Sequence, residues 1–210
     1  MDKIKSYEIF NKVRGLFQSL KCELNFNNNF ELLVAVILSA QCTDKRVNIV
    51  TETLFKICNT PADFCNIELS ELEEIIKPCG FFRNKAKNIK LASEKIAKDF
   101  NGQVPSSFED LIKLDGVGRK TANVIMSVAF NKNAIAVDTH VFRVSKRLNL
   151  SNCKNVLDCE KDLQKTFNEE DWSELHYTLV LFGRYYCTAR NPKCDSCVVK
   201  ENCKYFKEKK

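Results

Sequence analysis

Glycine is scarce in this 210-residue chain: there are six, where average usage of ~7% would give about fifteen. Proline is scarcer still, with four. Collagen-like and Gly/Pro-rich disordered sequences are thereby excluded, and helices are favoured, because these two residues disfavour helix interiors most. Each glycine that remains marks a point where the backbone needs one. Long apolar runs are also missing. The longest, LLVAVILSA at 32–40, is about half of the ~20 residues a membrane span requires. It reads as a buried core helix, and no membrane role is expected. The opening MDKIKSYEIFNKV alternates charge and has no apolar stretch, so no signal peptide is expected.

Cysteine is plentiful, at eleven. The count is odd, and seven of them (Cys22, Cys42, Cys58, Cys65, Cys79, Cys153, Cys159) are scattered. This argues against a secreted disulfide framework and for reduced thiols in a cytoplasm. Net charge is +6, with eight Lys/Arg against three Asp/Glu from Arg184 to Lys210, so +5 of it sits in the last 27 residues. A solvated basic face explains that excess as readily as a nucleic-acid partner does.

Apolar spacing near 3.6 recurs almost throughout and predicts an all-α protein. Ile4, Phe10, Val13, Phe17 and Leu20 make a first stripe, and Asn27–Asn29 supply a turn and cap before the 32–40 helix. Thr43 and Asp44 cap a helix striped by Val47, Val50 and Leu54. Thr60-Pro61 reads as N-cap and first helical residue. Ser70 with Glu73, and Ser106 with Glu109, are candidate capping boxes. Pro78 and Gly80 stop one helix, and Asn101-Gly102 ends another running from about Asn84 to Phe100. Helices are expected at about 108–114, 119–130, 141–148, 156–167 and 172–186, with a short extended piece at 134–137. Pro192 and the last cysteines then end regular structure.

Two of the six glycines stand two positions apart in LDGVGRKTANVI, at 114–125. Glycine permits positive φ and lets backbone N–H groups approach a ligand, and amides at a helix start suit a phosphate. A tight helix–helix turn without a ligand explains the same spacing. Lys120, at the start of the following helix, is ordinarily a solvated charge. Its neutral amine is the nucleophile that Schiff-base chemistry at a sugar C1′ requires. The 119–130 helix is about 18 Å long at ~1.5 Å per residue, and an extended 134–138 returns roughly 17 Å. That return nominates Asp138, in AVDTHVFRV, as a partner for Lys120, beside its plainer role as a helix cap. Cys187, Cys194, Cys197 and Cys203 form C-x6-C-x2-C-x5-C. Four thiols at this spacing point to metal binding, zinc and an iron–sulfur cluster being equally compatible.

Together, LDGVGRKTANVI, AVDTH and the terminal cysteines resemble the bacterial endonuclease III family, bifunctional DNA glycosylases and AP lyases of the helix-hairpin-helix–GPD superfamily. The likeness covers nearly the whole chain. It implies two helical lobes: 22–132, with the helix-hairpin-helix at about 107–130, and 1–21 plus 133–210, carrying a cluster loop at 187–203, with DNA in the cleft between them. It implies Lys120 as nucleophile and Asp138 as the carboxylate that assists it. Gly116, Val117, Gly118 and Arg119 would hold a DNA phosphate, Gln41 would fill the gap left by a flipped base, and Phe81 would wedge the duplex, standing where an aliphatic residue is usual. Asp115 stands where proline is usual. The cysteines would hold a [4Fe-4S] cluster, and Arg190 and Lys193 would contact phosphates. The expected partner is damaged double-stranded DNA, and the expected enzyme a cytoplasmic monomer associated with the nucleoid through DNA. Two competitors share parts of the pattern. A monofunctional adenine-mispair glycosylase is opposed by Lys120 and by the lack of an extra C-terminal recognition domain. A non-catalytic DNA-binding module with structural zinc is opposed by the Lys120/Asp138 pair.

Overall fold

The computed structural model describes residues 2–208, and among them every regular element is a helix. Twelve α-helices follow in order: α1 Lys3–Arg14, α2 Asn29–Leu38, α3 Asp44–Ile57, α4 Pro61–Asn66, α5 Leu69–Ile76, α6 Phe82–Asp99, α7 Phe108–Leu111, α8 Arg119–Phe130, α9 Thr139–Arg147, α10 Val156–Thr166, α11 Trp172–Tyr185 and α12 Lys204–Glu208. Short 3-10 turns lie at Lys77–Cys79, Glu169–Asp171 and Lys200–Asn202. The helices group into two compact bodies, Cys22–Asn131 and Lys132–Lys210 with Met1–Lys21. No helix of the described residues is long and apolar enough to cross a membrane.

In the Cys22–Asn131 body, α2 is the hub. Every residue from Phe30 to Leu38 is buried, Glu31 included. A helix that is apolar all round belongs at the centre of a core, and α3, α6 and α8 pack on it. Asn28 starts it by accepting from the Glu31 N–H at 2.9 Å. The Glu31 carboxylate in turn accepts from the Asn27 amide N–H at 2.6 Å, so the buried charge is tied to the entry turn. Around this hub, Leu54, Phe64, Leu72, Ile89, Ile96, Leu111 and Ile125 are fully buried.

The second body is built on α11, which packs against α9 and α1. Here Leu163, Leu175, Leu179, Val141 and Val144 close an apolar core. Gly183 lets α9 come close: a Cβ at this position would stand 2.8 Å from the His140 Cβ.

Local departures from the sequence reading have simple causes. Helix α1 ends at Arg14, and Phe17 reaches the core of its body from beyond the helix. Ser70 lies inside α5, whose N-cap is Glu68, so no Ser70/Glu73 box forms. Ser107 rather than Ser106 caps α7, accepting from the Asp110 N–H at 3.1 Å, a one-residue slip between adjacent serines. Residues 134–137 form no regular element, and all four are buried. Regular structure also continues past the last cysteines, in α12. Lys209 and Lys210, counted in the basic tail, lie outside the described residues.

Candidate active site and cluster loop

Gly116 takes φ +77°, a left-handed turn that L side chains avoid, and a Cβ there would press to 3.0 Å from Asn88. Gly118 differs. Its φ of −91° is open to any residue, and a Cβ would meet nothing within 4 Å. The first glycine is needed for the turn. The second keeps the mouth of α8 bare, because as N-cap it offers no side chain to the first-turn amides. Those N–H groups, at the positive end of the helix dipole, suit an anion. Val117 enters the loop in another way: its side chain is buried, and its N–H donates to the Leu114 carbonyl at 3.1 Å. Arg119 is exposed and its guanidinium lies 5.0 Å from the centre of the Phe108 ring, which steadies it at the loop edge. Lys120 is exposed in the first turn of α8.

Gln41 and Phe81 are both exposed, and both have left-handed backbones, φ 54° and 47°. Phe81 leaves 66% of its surface in solvent, unusual for a phenylalanine in a body with so complete a core.

In the other body, Asp138 is half-buried and caps α9: its Oδ1 accepts from the N–H groups of His140 and Val141, both at 2.8 Å. His140 is held below its ordinary pKa chiefly by burial, against the pull of Asp138. The Arg143 guanidinium reaches its ring at 3.2 Å and donates to the Gly183 carbonyl at 2.8 Å.

The four terminal cysteines line one cavity with Leu148, Phe182 and Tyr186. Among the described residues, no three Cys, His, Asp or Glu converge where a single ion would sit. Four thiols around one apolar cavity are a donor set that fits an iron–sulfur cluster. Backbone N–H groups already point at these sulfurs, that of Val199 at Cys197 and those of Tyr205 and Phe206 at Cys203. Such bonds favour the thiolate, whereas burial pushes both thiols up. A feature that sequence reading missed is the part played by α9. Arg147 donates to the carbonyls of Thr188 at 2.7 Å and Ala189 at 2.9 Å, and its Nη1 lies 3.4 Å from the Cys187 Sγ. Arg143 donates to the Cys187 carbonyl at 3.1 Å. Arg190 and Lys193 are exposed on this loop, with the Lys193 ammonium 5.3 Å from the Tyr186 ring centre.

Two family models match the chain. A family model described as HhH-GPD superfamily base excision DNA repair protein matches residues 34–169. A second, the iron–sulfur binding domain of endonuclease III, matches residues 187–203. The fold and site thus define a base-excision repair protein of the helix-hairpin-helix–GPD class. Endonuclease III of Bacillus subtilis (strain 168) is 51% identical over 194 residues, covering 92% of this chain and 89% of its own. The Escherichia coli (strain K12) enzyme is 43% identical over 209 residues, with 100% and 99% covered. A solved structure described as a trapped endonuclease III–DNA covalent intermediate, an estranged-adenine complex, superposes with a TM-score of 0.97 at 46% identity, covering 100% of this chain and 99% of that one. The chain belongs to the endonuclease III family, and its cofactor is a [4Fe-4S] cluster.

Proposed function

We propose that Lys120 is the nucleophile of this DNA glycosylase and AP lyase, that Asp138 assists it, and that its substrates are oxidised pyrimidines in duplex DNA. The chain is a bifunctional base-excision enzyme that binds DNA. A base inside a stacked duplex cannot be attacked, so it must first be turned out, which is easiest for a damaged base. The neutral Lys120 amine then attacks C1′ as the base departs with the electron pair of its glycosidic bond; loss of the amine proton and opening of the C1′–O4′ bond, with O4′ taking up a proton, give the imine. Asp138 accepts that proton or stabilises positive charge developing at the sugar. The imine acidifies C2′–H, and proton loss there expels the 3′ phosphate by β-elimination. Hydrolysis of the imine frees Lys120.

The observation that carries this reading is the bare, uncapped mouth of α8, which sets Lys120 one residue from the glycine loop that suits a phosphate. Gln41 and Phe81 would occupy the duplex beside the extruded nucleotide, the ring acting as an apolar wedge. Arg119, Arg190 and Lys193 would contact phosphates without reading bases. The four cysteines would hold the cluster, which when bound cross-links the 187–203 loop. A monomer in the cytoplasm, on the nucleoid through DNA, completes the proposal.

The test is release of thymine glycol and strand nicking on a duplex carrying one lesion. Lys120→Gln should lose both activities by more than a thousandfold while retaining binding to abasic-site DNA. Lys120→Gln that still nicks at the native rate would refute the assignment.

A further inference from the structure

Lys85 is 5% exposed, whereas Lys87 and Lys98 on the same helix are exposed and Lys90 is half-buried. Nothing in the proposed chemistry uses it. Its Nζ donates to the carbonyl of Leu38 at 2.8 Å and to that of Cys79 at 3.0 Å. Leu38 is the last residue of α2, three positions before Gln41, and Cys79 lies two before Phe81. One ammonium thus grips the carbonyls at which two separate loops leave the core.

The backbone conformations add a second observation. Among the described residues, five besides glycine have positive φ: Gln41, Phe81, Asn101, Asn131 and Asn149. Asparagine tolerates that region, whereas glutamine and phenylalanine gain nothing from it. Such conformations cost of order 1–3 kcal/mol each and persist only where the surroundings enforce them. The two residues held this way are the ones whose exposed side chains are assigned to the duplex. Lys85 bonds to the backbone of both approaches, beside a hydrogen bond between the Cys42 and Cys79 thiols. Burial holds its pKa below the ordinary lysine value, against the pull of the Cys42 and Cys79 thiols. It is unsuited to compete with Lys120 as a nucleophile, being enclosed and committed to two acceptors.

We propose that Lys85 is a positioning residue, a buried clasp that fixes the Gln41 turn and the Phe81 wedge in one register so that both enter the duplex together. The inference rests on the DNA roles of Gln41 and Phe81, but the clasp itself is testable without DNA. In Lys85→Met, and in Lys85→Gln should Met impair folding, amide exchange should rise at least tenfold at Cys42, Gly80 and Lys85 together. The amides of α8 should be unchanged. Unchanged exchange at both loops would overturn the clasp, as would loosening of one loop only.

The DNA arm uses 2-aminopurine placed opposite an abasic site, whose fluorescence reports unstacking. Lys85→Met should reduce the rise on binding about as much as Phe81→Ala with Gln41→Ala, and adding it to that double variant should change nothing further. A full additional loss in the triple variant would show that Lys85 acts elsewhere and overturn the proposal. If the Gln41/Phe81 double variant itself unstacks normally while exchange behaves as stated, the clasp stands and the DNA roles of those two side chains fail.

Discussion

The α2 core of one body and the C-terminal cysteine segment of the other are ordered by different chemistry. Around α2, order comes from carbon: nine consecutive buried residues, Phe30–Leu38, with neighbouring helices on every side. At the C-terminal end of the other body, from Cys187 to Glu208, only Cys187, Val199 and Cys203 are buried. Order there comes from arginine side chains binding loop carbonyls and, on the ligand set proposed above, from a cluster that would link four sulfurs. Hydrophobic burial is non-directional and tolerates exchange of similar side chains, whereas a loop fastened through carbonyls and thiolates depends on a few atoms. The contrast teaches where this enzyme is adaptable and where it is brittle.

The sharpest way to break the contrast is to remove the cluster by chelation under oxidation, or to replace Cys203 with Ala. Amide protection should be lost throughout 187–208 and kept in α2. Equal loss in α2 would mean that the bodies are not independent in this sense. Next in size is Leu33→Ala, which opens a cavity in the α2 core and should cost about 2–5 kcal/mol in urea unfolding. A cost under about 1 kcal/mol would show that this core collapses around the gap. Arg147→Met removes the bonds to Thr188 and Ala189 and the contact with the Tyr205 ring, whose centre lies 4.2 Å from the guanidinium. Hydrogen bonds to charged groups are worth about 1.5–3 kcal/mol each, so cluster absorbance should bleach several-fold faster in air. An unchanged bleaching rate would assign the loop's order to the cluster alone.

Gly183→Ala places a methyl against His140 and should destabilise the α9–α11 contact by about 1–3 kcal/mol, read by thermal unfolding. The smallest effect concerns pH. His140 is held below its ordinary 6.5, so as pH falls the unfolded chain takes up a proton that the folded chain resists. Its contribution to stability is complete above about pH 6.5 and is lost as pH falls from there towards the folded pKa. His140→Gln should flatten the stability profile across that window. An unchanged slope would place the titration in other groups.

Much of the fold was legible because punctuation and periodicity agreed. Helix α8 reads as Arg119–Phe130 from the sequence and in the structure, bounded by Gly118 and by Asn131 with φ 51°. Thr60-Pro61 forms the expected cap, completed by Asp63. Adjacent serines at 106 and 107 defeated a one-residue assignment, since either supplies the same hydroxyl. The stripe through Phe17 and Leu20 misled because apolar residues in a loop can fill a core as well as a helix face. For the site, residue type and spacing nominated Lys120, Asp138 and the cysteines. What stayed hidden was long-range and polar: Lys85 grips a carbonyl 47 positions away, and Arg147 reaches 40 positions to the cluster loop. Charged residues on amphipathic helices read as solvated until the fold shows what lies beside them. The left-handed turns at Gln41 and Phe81 were equally unreadable, because neither residue type favours that backbone.

The central claim is imine formation at Lys120, and the most direct measurement is borohydride trapping on abasic-site duplex followed by mass mapping of the modified peptide. The account predicts one sugar adduct, on Lys120, absent from Lys120→Gln. An adduct on another lysine, or none from protein shown to bind that DNA, would contradict it.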